Sequence, residues 1–272
     1  MPDRFEIQIL TQQQENMKKI SIIMCGLLMM ATTSMAQVKV IAHRGFWNSP
    51  SAAQNSLASM RNAYKAGAWG SEFDVHITTD GEIVVNHDDD IHGVIIEEAK
   101  YADIKNMKLA NGETLATLKN YLEEGKKLGK LQLILEIKAH ETPEREDKCV
   151  AACLKLVKET GMEDRVDYIS FSMHACEEII KLNPKARVYY LGGDVAPDAI
   201  KSKGFAGIDY YGGALVKHPE WIKQSHDLGL KVNVWTIDEV KQIQQCVASG
   251  VDFITTDKPV EAKKIAEGKL KY

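Results

Sequence analysis

The sequence predicts a single-domain α/β protein, a TIM (β/α)8 barrel. Three observations carry that prediction. From residue 38 onward, eight short apolar segments alternate with amphipathic ones, the pattern of a parallel sheet covered by helices. Glycine closes five of the helix-like stretches just before the next strand, at Gly67, Gly129, Gly161, Gly229 and Gly250. The repeats occupy about 235 residues, a length that suits this barrel. An open doubly wound sheet is the rival architecture. The absence of a Gly-rich dinucleotide fingerprint after the first strand counts against it.

The elements follow in order. Residues 39–43 read as the first strand, and 56–66 as a helix closed at Ala66-Gly67. The second strand spans 71–77, with polar and apolar residues alternating. Thr79-Asp80-Gly81 is a tight turn into a short strand, Ile83-Val84-Val85. Residues 88–114 are polar and weakly patterned, and are expected to form a loop over the barrel mouth. A helix at 115–128 and a strand at 131–137 come next. Then follow a helix at 146–160, a strand at 166–171, a helix at 175–182 and strands at 187–191 and 204–209. The last units are a helix at 219–228, a strand at 231–236, a helix at 238–249 and a strand at 253–255.

The chain has 272 residues and a net charge of −4. A mildly acidic body lacks the cationic field that phosphate backbones require, so nucleic acid is not an expected partner. Residues 17–36 have the order of a secretory signal. Met17-Lys18-Lys19 is basic, Ile20 to Met30 is apolar, and Ser34-Met35-Ala36 supplies small residues before Gln37. The expected division is therefore 1–36, upstream residues plus signal, and 37–272, the barrel. An exported protein, periplasmic or secreted, is expected, with no stable membrane anchor once the signal is removed. Cys25 lies inside the apolar run, and Ile23-Met24 before it argue against lipidation. Cys149, Cys153, Cys176 and Cys246 follow the signal; Cys149 and Cys153, four apart in a helical stretch, lack the companions of a zinc site and read as small buried apolar residues. Oligomeric state has no signal in the sequence.

Chemistry concentrates at strand ends. Glu72 and Asp74 sit two apart, so they share one face of their strand while Phe73 and Val75 share the other. Glu136 lies on a separate apolar strand, in Leu135-Glu136-Ile137-Lys138. Charged groups that point into a barrel are costly unless paired or metal-bound. Three carboxylates supply the hard oxygen ligands that Ca²⁺ or Mg²⁺ takes, so one divalent cation is the expected cofactor. Arg44 and Lys138 add positive charge suited to a phosphate. His43 and His87 can divide the proton transfers, because imidazole titrates near neutral pH. The combination points to metal-assisted cleavage of a phosphodiester. Tyr210 and Tyr211 are candidates to line the mouth, and Asp88 is expected to orient His87.

These residues also carry a resemblance. His43-Arg44-Gly45, Glu72-Phe73-Asp74-Val75, Thr79-Asp80-Gly81, His87-Asp88, Leu135-Glu136-Ile137-Lys138, Val234-Trp235-Thr236 and Thr256-Asp257-Lys258-Pro259 occur in the order found in the glycerophosphodiester phosphodiesterase family. The resemblance implies a TIM-barrel hydrolase that releases sn-glycerol 3-phosphate and an alcohol from small deacylated phospholipids, such as glycerophosphocholine or glycerophosphoethanolamine. By matching position it implies Glu72, Asp74 and Glu136 as metal ligands and His43 and His87 as the acid–base pair. Arg44 and Lys138 become phosphate contacts, and Trp235 lies along the glycerol. One departure is clear. Where many members read Pro-Glu-Asn-Thr, this chain reads Ala53-Gln54-Asn55-Ser56, with no carboxylate at Gln54. Asn55 and Ser56 are expected to cap the following helix. Two alternatives stay open: a related phosphodiesterase on the same barrel, phospholipase D-like or acting on glycerophosphoinositol-type diesters, and a periplasmic protein that binds phosphodiesters without cleaving them.

Overall fold

A computed structural model describes residues 37–270. The signal segment and Cys25 lie outside the described residues. Eight parallel strands close into a barrel: β1 (Lys39–Ala42), β2 (Gly70–Ile77), β6 (Gln132–Ile137), β7 (Val166–Ser170), β8 (Val188–Tyr190), β9 (Gly207–Tyr211), β10 (Lys231–Trp235) and β11 (Phe253–Thr256). Pairing of Ile41 with Gly70 and of Ala42 with Ser71 closes the ring. Closure leaves no sheet edge in the barrel wall apart from β3 (Ile83–Val85), which pairs antiparallel to β2.

Helices cover the outside: α1 (Leu57–Lys65), α3 (Leu118–Lys126), α4 (Pro143–Thr160), α5 (Met173–Leu182), α6 (Pro197–Ser202), α7 (Gly212–Lys217), α8 (Glu220–Asp227), α9 (Val240–Ser249) and α10 (Pro259–Ala266). None of the described helices is long and apolar enough to cross a membrane. Strand alternation sorts the side chains into two cores. Outward residues such as Phe73, Val75, Leu133, Leu135, Val232 and Val234 pack under the helices. Phe73 stacks on Tyr121 of α3 with ring centroids 4.3 Å apart. Inside the barrel, Ile41, Ile134, Ile169, Tyr189, Leu191 and Phe253 form a second cluster, with Trp69 against Phe253 at 4.8 Å. Gly207 makes one strand contact possible: a Cβ there would stand 2.0 Å from the Lys231 carbonyl oxygen.

Several elements differ from expectation. Residues 88–114 are not a bare loop. They carry a hairpin of β4 (Asp90–Ile91) and β5 (Val94–Ile95), a 3₁₀ turn (Ile96–Glu98) and a short helix, α2 (Tyr101–Ile104). The hairpin turns through His92 and Gly93, both at positive φ, as a two-residue turn of matching twist requires. Val84, Ile91, Ile96, Ala99, Ile104 and Leu115 give this excursion its own apolar cluster. Its carboxylate Glu113 accepts from the backbone N–H of Leu57 at 2.9 Å and of Ala58 at 3.2 Å, latching the excursion to the start of α1. β9 runs two to three residues later than the segment expected at 204–209, and the short helices α6, α7 and α10 were not foreseen.

Candidate active site

The site sits where the parallel strands end. α1 is capped by Ser56, whose hydroxyl accepts from the Ser59 N–H at 3.0 Å. Asn55 does not share that work, contrary to expectation. It is buried at φ +59, and its amide reaches across to the site: Nδ2 donates to Asp74 Oδ2 at 2.9 Å, and Oδ1 accepts from the Asp74 N–H at 3.2 Å. The left-handed geometry at Asn55 is tolerable for asparagine and aims its side chain at β2.

The turn after β1 is built the same way. Arg44 and Gly45 both have positive φ, +52 and +75. This turn directs the Arg44 N–H onto Glu72 Oε2 at 2.7 Å. A Cβ on Gly45 would lie 2.3 Å from Ser59 Oγ and 2.7 Å from the Ser59 carbonyl carbon, so only glycine lets the turn sit on α1. The Arg44 guanidinium donates to Gln54 Oε1 at 2.8 Å, while its Nε is buried without a partner. Gln54 therefore holds Arg44 through an uncharged amide oxygen, so no carboxylate offsets the guanidinium charge at that position.

Glu72 and Asp74 follow each other on the inner face of β2, and Glu136 pairs in register with Asp74 on the adjacent strand β6. One carboxylate oxygen from each falls within 4.8 Å of the others, and all three residues are buried. Lys138 Nζ stands 2.9 Å from Glu136 Oε1 and 3.4 Å from Asp74 Oδ1. The contact to Glu136 lies at ion-pair distance, but its angles miss a hydrogen bond. Glu72 Oε1 and Glu136 Oε1 are thus buried oxygens without hydrogen-bond partners.

Those orphaned oxygens test the fit of a cation. Burial, then the neighbouring Asp74 and Glu136 charges, push the Glu72 carboxyl well above its usual range. Burial and Asp74 likewise push Glu136 up to about 8, against the pull of Lys138. Burial opposes the charge on Lys138, but Glu136 and Asp74 outweigh it and raise its pKa. Three crowded carboxylates without a metal resist ionising together. A divalent cation removes that conflict and gives both orphaned oxygens a ligand role. The residues fit such an ion. With Lys138 and Arg44 counted, three carboxylates leave the cluster one charge negative. A divalent cation leaves it one charge positive, the complement of a phosphodiester monoanion.

The two histidines lie on either side of Glu72 and Asp74 in the chain, and both precede Glu136. His43 follows β1 and its Nδ1 lies 2.9 Å from Asp257 Oδ1. His87 follows β3 and its Nδ1 lies 2.7 Å from Asp88 Oδ1, as expected for an orienting carboxylate. Burial lowers the His87 pKa, and Asp74 and Asp88 only partly oppose it. His76 is buried, bonds the His87 carbonyl at 3.4 Å and is pushed down to about 4 by burial, so it is a neutral packing residue. Trp235 stands apart on β10. Its indole N–H donates to the Asp209 carbonyl at 3.0 Å, and its ring meets Phe171 and Tyr211 edge-on at 5.6 and 6.3 Å. Tyr211 is exposed at the mouth, but Tyr210 is not. Strand alternation turns Tyr210 outward, where it packs on Trp221 under the helices.

Residues 43–261 match the Glycerophosphoryl diester phosphodiesterase family. The chain belongs to that family. It is an enzyme, a glycerophosphodiester phosphodiesterase, and its reaction is glycerophosphodiester hydrolysis. A glycerophosphodiester phosphodiesterase of Caldanaerobacter subterraneus subsp. tengcongensis is 29% identical over 240 residues, covering 81% of this chain and 94% of that one. The crystal structure of a glycerophosphodiester phosphodiesterase from Parabacteroides distasonis superposes with a TM-score of 0.85 at 46% identity, covering 86% of this chain and 99% of that one. An Oleispira antarctica phosphodiesterase, solved with the product sn-glycerol-3-phosphate, gives a TM-score of 0.71 at 25% identity and covers 84% and 96%. The family match begins at His43 and runs past Asp257, so it takes in every candidate site residue of this phosphodiesterase. Asn55 and Asp257 are the polar partners that reading the sequence did not assign. The motif around each was visible, but the contacts, to Asp74 and to His43, are not.

Proposed function

We propose that this phosphodiesterase cleaves small glycerophosphodiesters to sn-glycerol 3-phosphate and an alcohol with one divalent cation, Mg²⁺ or Ca²⁺. One observation carries the reading: three buried carboxylates converge, with Glu72 Oε1 unpartnered and Glu136 Oε1 met only by the Lys138 ammonium, beside an arginine. Glu72, Asp74 and Glu136 hold the ion, and Asn55 keeps Asp74 aimed at it. When bound, the ion supplies Lewis-acid stabilisation of the charge that builds on the phosphate oxygens. Lys138 and Arg44 bind the same oxygens and orient the diester. One of His43 and His87 takes the proton of the attacking hydroxyl. The other gives a proton to the departing alkoxide as the phosphorus–oxygen bond breaks. Trp235, with Phe171 and Tyr211, offers an apolar wall for the glycerol carbons.

Glycerophosphocholine and glycerophosphoethanolamine are the proposed substrates, and the product bound by the Oleispira neighbour supports the glycerol 3-phosphate half. Residues 17–36 support an exported enzyme. A second reading, phospholipase D-like cleavage of a diester that keeps an acyl chain, draws on one observation. A groove of about 1040 Å³ opens beside Tyr211 and Trp235, with Leu215, Ile222, Val234 and Val251 among its lining residues. The test is a diester panel that includes lysophosphatidylcholine. Purified protein is stripped with chelator and reconstituted with each metal. Release of glycerol 3-phosphate from the short diesters, dependent on added metal, supports the main reading. Activity untouched by exhaustive chelation contradicts it.

A further inference from the structure

Asp257 occupies an unusual position among the carboxylates at the barrel mouth. It follows β11, next to β1 in the ring, and the His43 N–H donates to the Thr256 carbonyl at 3.0 Å, so the two strand ends are tied together. Its own backbone is fixed from the β10 side: Asp238 Oδ1 accepts from the Asp257 N–H and from the Thr256 hydroxyl, each at 2.8 Å. Its Oδ1 then meets two ring nitrogens, His43 Nδ1 at 2.9 Å and Trp47 Nε1 at 2.8 Å. Burial works against its charge, but the bonds from His43 and Trp47 outweigh it and hold the carboxyl below its usual range. The group is an ionised carboxylate at neutral pH.

We propose that Asp257 is the positioning residue for His43: it fixes the ring and holds the proton on Nδ1, which leaves Nε2 as the atom that exchanges a proton with substrate. A carboxylate only accepts, so the nitrogen facing it must carry hydrogen. Free imidazole prefers its proton on the other nitrogen, so the contact selects a tautomer as well as an orientation. The same logic applies to His87 and Asp88, with a difference of build. Asp88 is the adjacent residue and 76% exposed at its side chain, whereas Asp257 is 25% exposed and anchored by two further bonds. Of the two pairs, His43–Asp257 is the preorganised one. This inference rests on the acid–base reading of His43 given above.

The test uses full-length protein labelled with nitrogen-15 histidine, at alkaline pH where the imidazoles are neutral, with His43→Ala used to assign the resonance. Wild type shows a protonated Nδ1 and a lone pair on Nε2 at His43. Asp257→Ala moves the proton to Nε2 and lowers kcat roughly ten- to hundred-fold, the usual scale for an orienting partner, while KM stays within about twofold. Asp257→Asn keeps an acceptor of the same shape and gives a smaller loss. Trp47→Phe removes only the indole bond and leaves the His43 tautomer unchanged. A wild-type His43 protonated on Nε2 overturns the proposal without any variant. Wild-type kcat in both Asp257 variants also overturns it. His43→Ala reads the parent assignment separately: near-full activity there refutes the acid–base role of His43, and the tautomer still decides whether Asp257 orients the ring.

Discussion

In the presence of chelator, the stability of the protein should rise as pH falls from 8 toward 6.5, opposite to what a paired carboxylate gives. The cause is the Glu72–Asp74–Glu136 cluster. Glu136 ionises near 4.5 when unfolded and only at about 8 in the folded, metal-free site. Within that window the native state binds more protons than the unfolded chain, so raising the pH destabilises it. His76 acts in the opposite sense, because burial drops its folded value from 6.5 to about 4. Its effect is confined below pH 6.5, where it offsets the carboxylates. Between pH 6.5 and 8 Glu72 and Asp209, the latter pushed up to about 7 by burial, add in the same direction as Glu136, and so does His174, whose bond to Asp147 raises its pKa.

Over that interval Glu136 alone accounts for about 2 kcal/mol, at 1.36 kcal/mol per pKa unit. For a domain of this size that is roughly 4–8 °C in melting temperature. Glu72 and Glu136 titrate as a pair, so the slope belongs to those two groups together. Saturating Mg²⁺ or Ca²⁺ should cancel it, because binding requires ionised ligands and strengthens as pH rises. The assay is thermal melting at stepped pH, with chelator and then with metal. Glu136→Gln should flatten the metal-free slope. A metal-free melting temperature that is constant or rises from pH 6.5 to 8 refutes the electrostatic account of the site.

Asn55→Ala frees Asp74 from its amide clamp; metal affinity measured by calorimetry should weaken roughly ten- to hundred-fold, as expected when a ligand loses its outer partner. His87→Ala should lower kcat by about a hundred- to ten-thousand-fold without moving the metal-bound melting temperature, and steady-state kinetics with parallel melts will show it. Gly45→Ala places a Cβ against Ser59 at positive φ; the destabilisation should be of order 1–3 kcal/mol by denaturant melts, with loss of activity as the Arg44 amide leaves Glu72. Mass spectrometry of protein recovered from an exporting host should find a mature chain that begins at Gln37.

Much of the barrel was legible because strand alternation writes itself into the chain. The spacing of Glu72 and Asp74 places them on one face, and the structure keeps them there. The opposition of Asp74 and Glu136 was not legible, since it depends on the register of β2 against β6. Asn55 misled for a local reason. A residue before a serine at a helix start reads as a cap, yet Ser56 alone fills that place and the positive φ of Asn55 sends its amide elsewhere. The bond between His43 and Asp257 spans 214 positions and leaves no local trace beyond the motif itself. The excursion after β3 hid because its apolar residues serve a hairpin, a 3₁₀ turn and a one-turn helix in succession, so no single period runs through them. Tyr210 and Tyr211 show how one residue of register decides between mouth and core.

Glu113 gives the excursion a share in the reaction's scaffolding. Its carboxylate grips the first amides of α1, the same corner from which Asn55 reaches Asp74 and Ser59 supports the Arg44-Gly45 turn. A segment held this way is part of the site's frame and not a detachable module. A chimera that imports a foreign excursion without its own clasp on α1 should bind metal poorly even with every ligand in place.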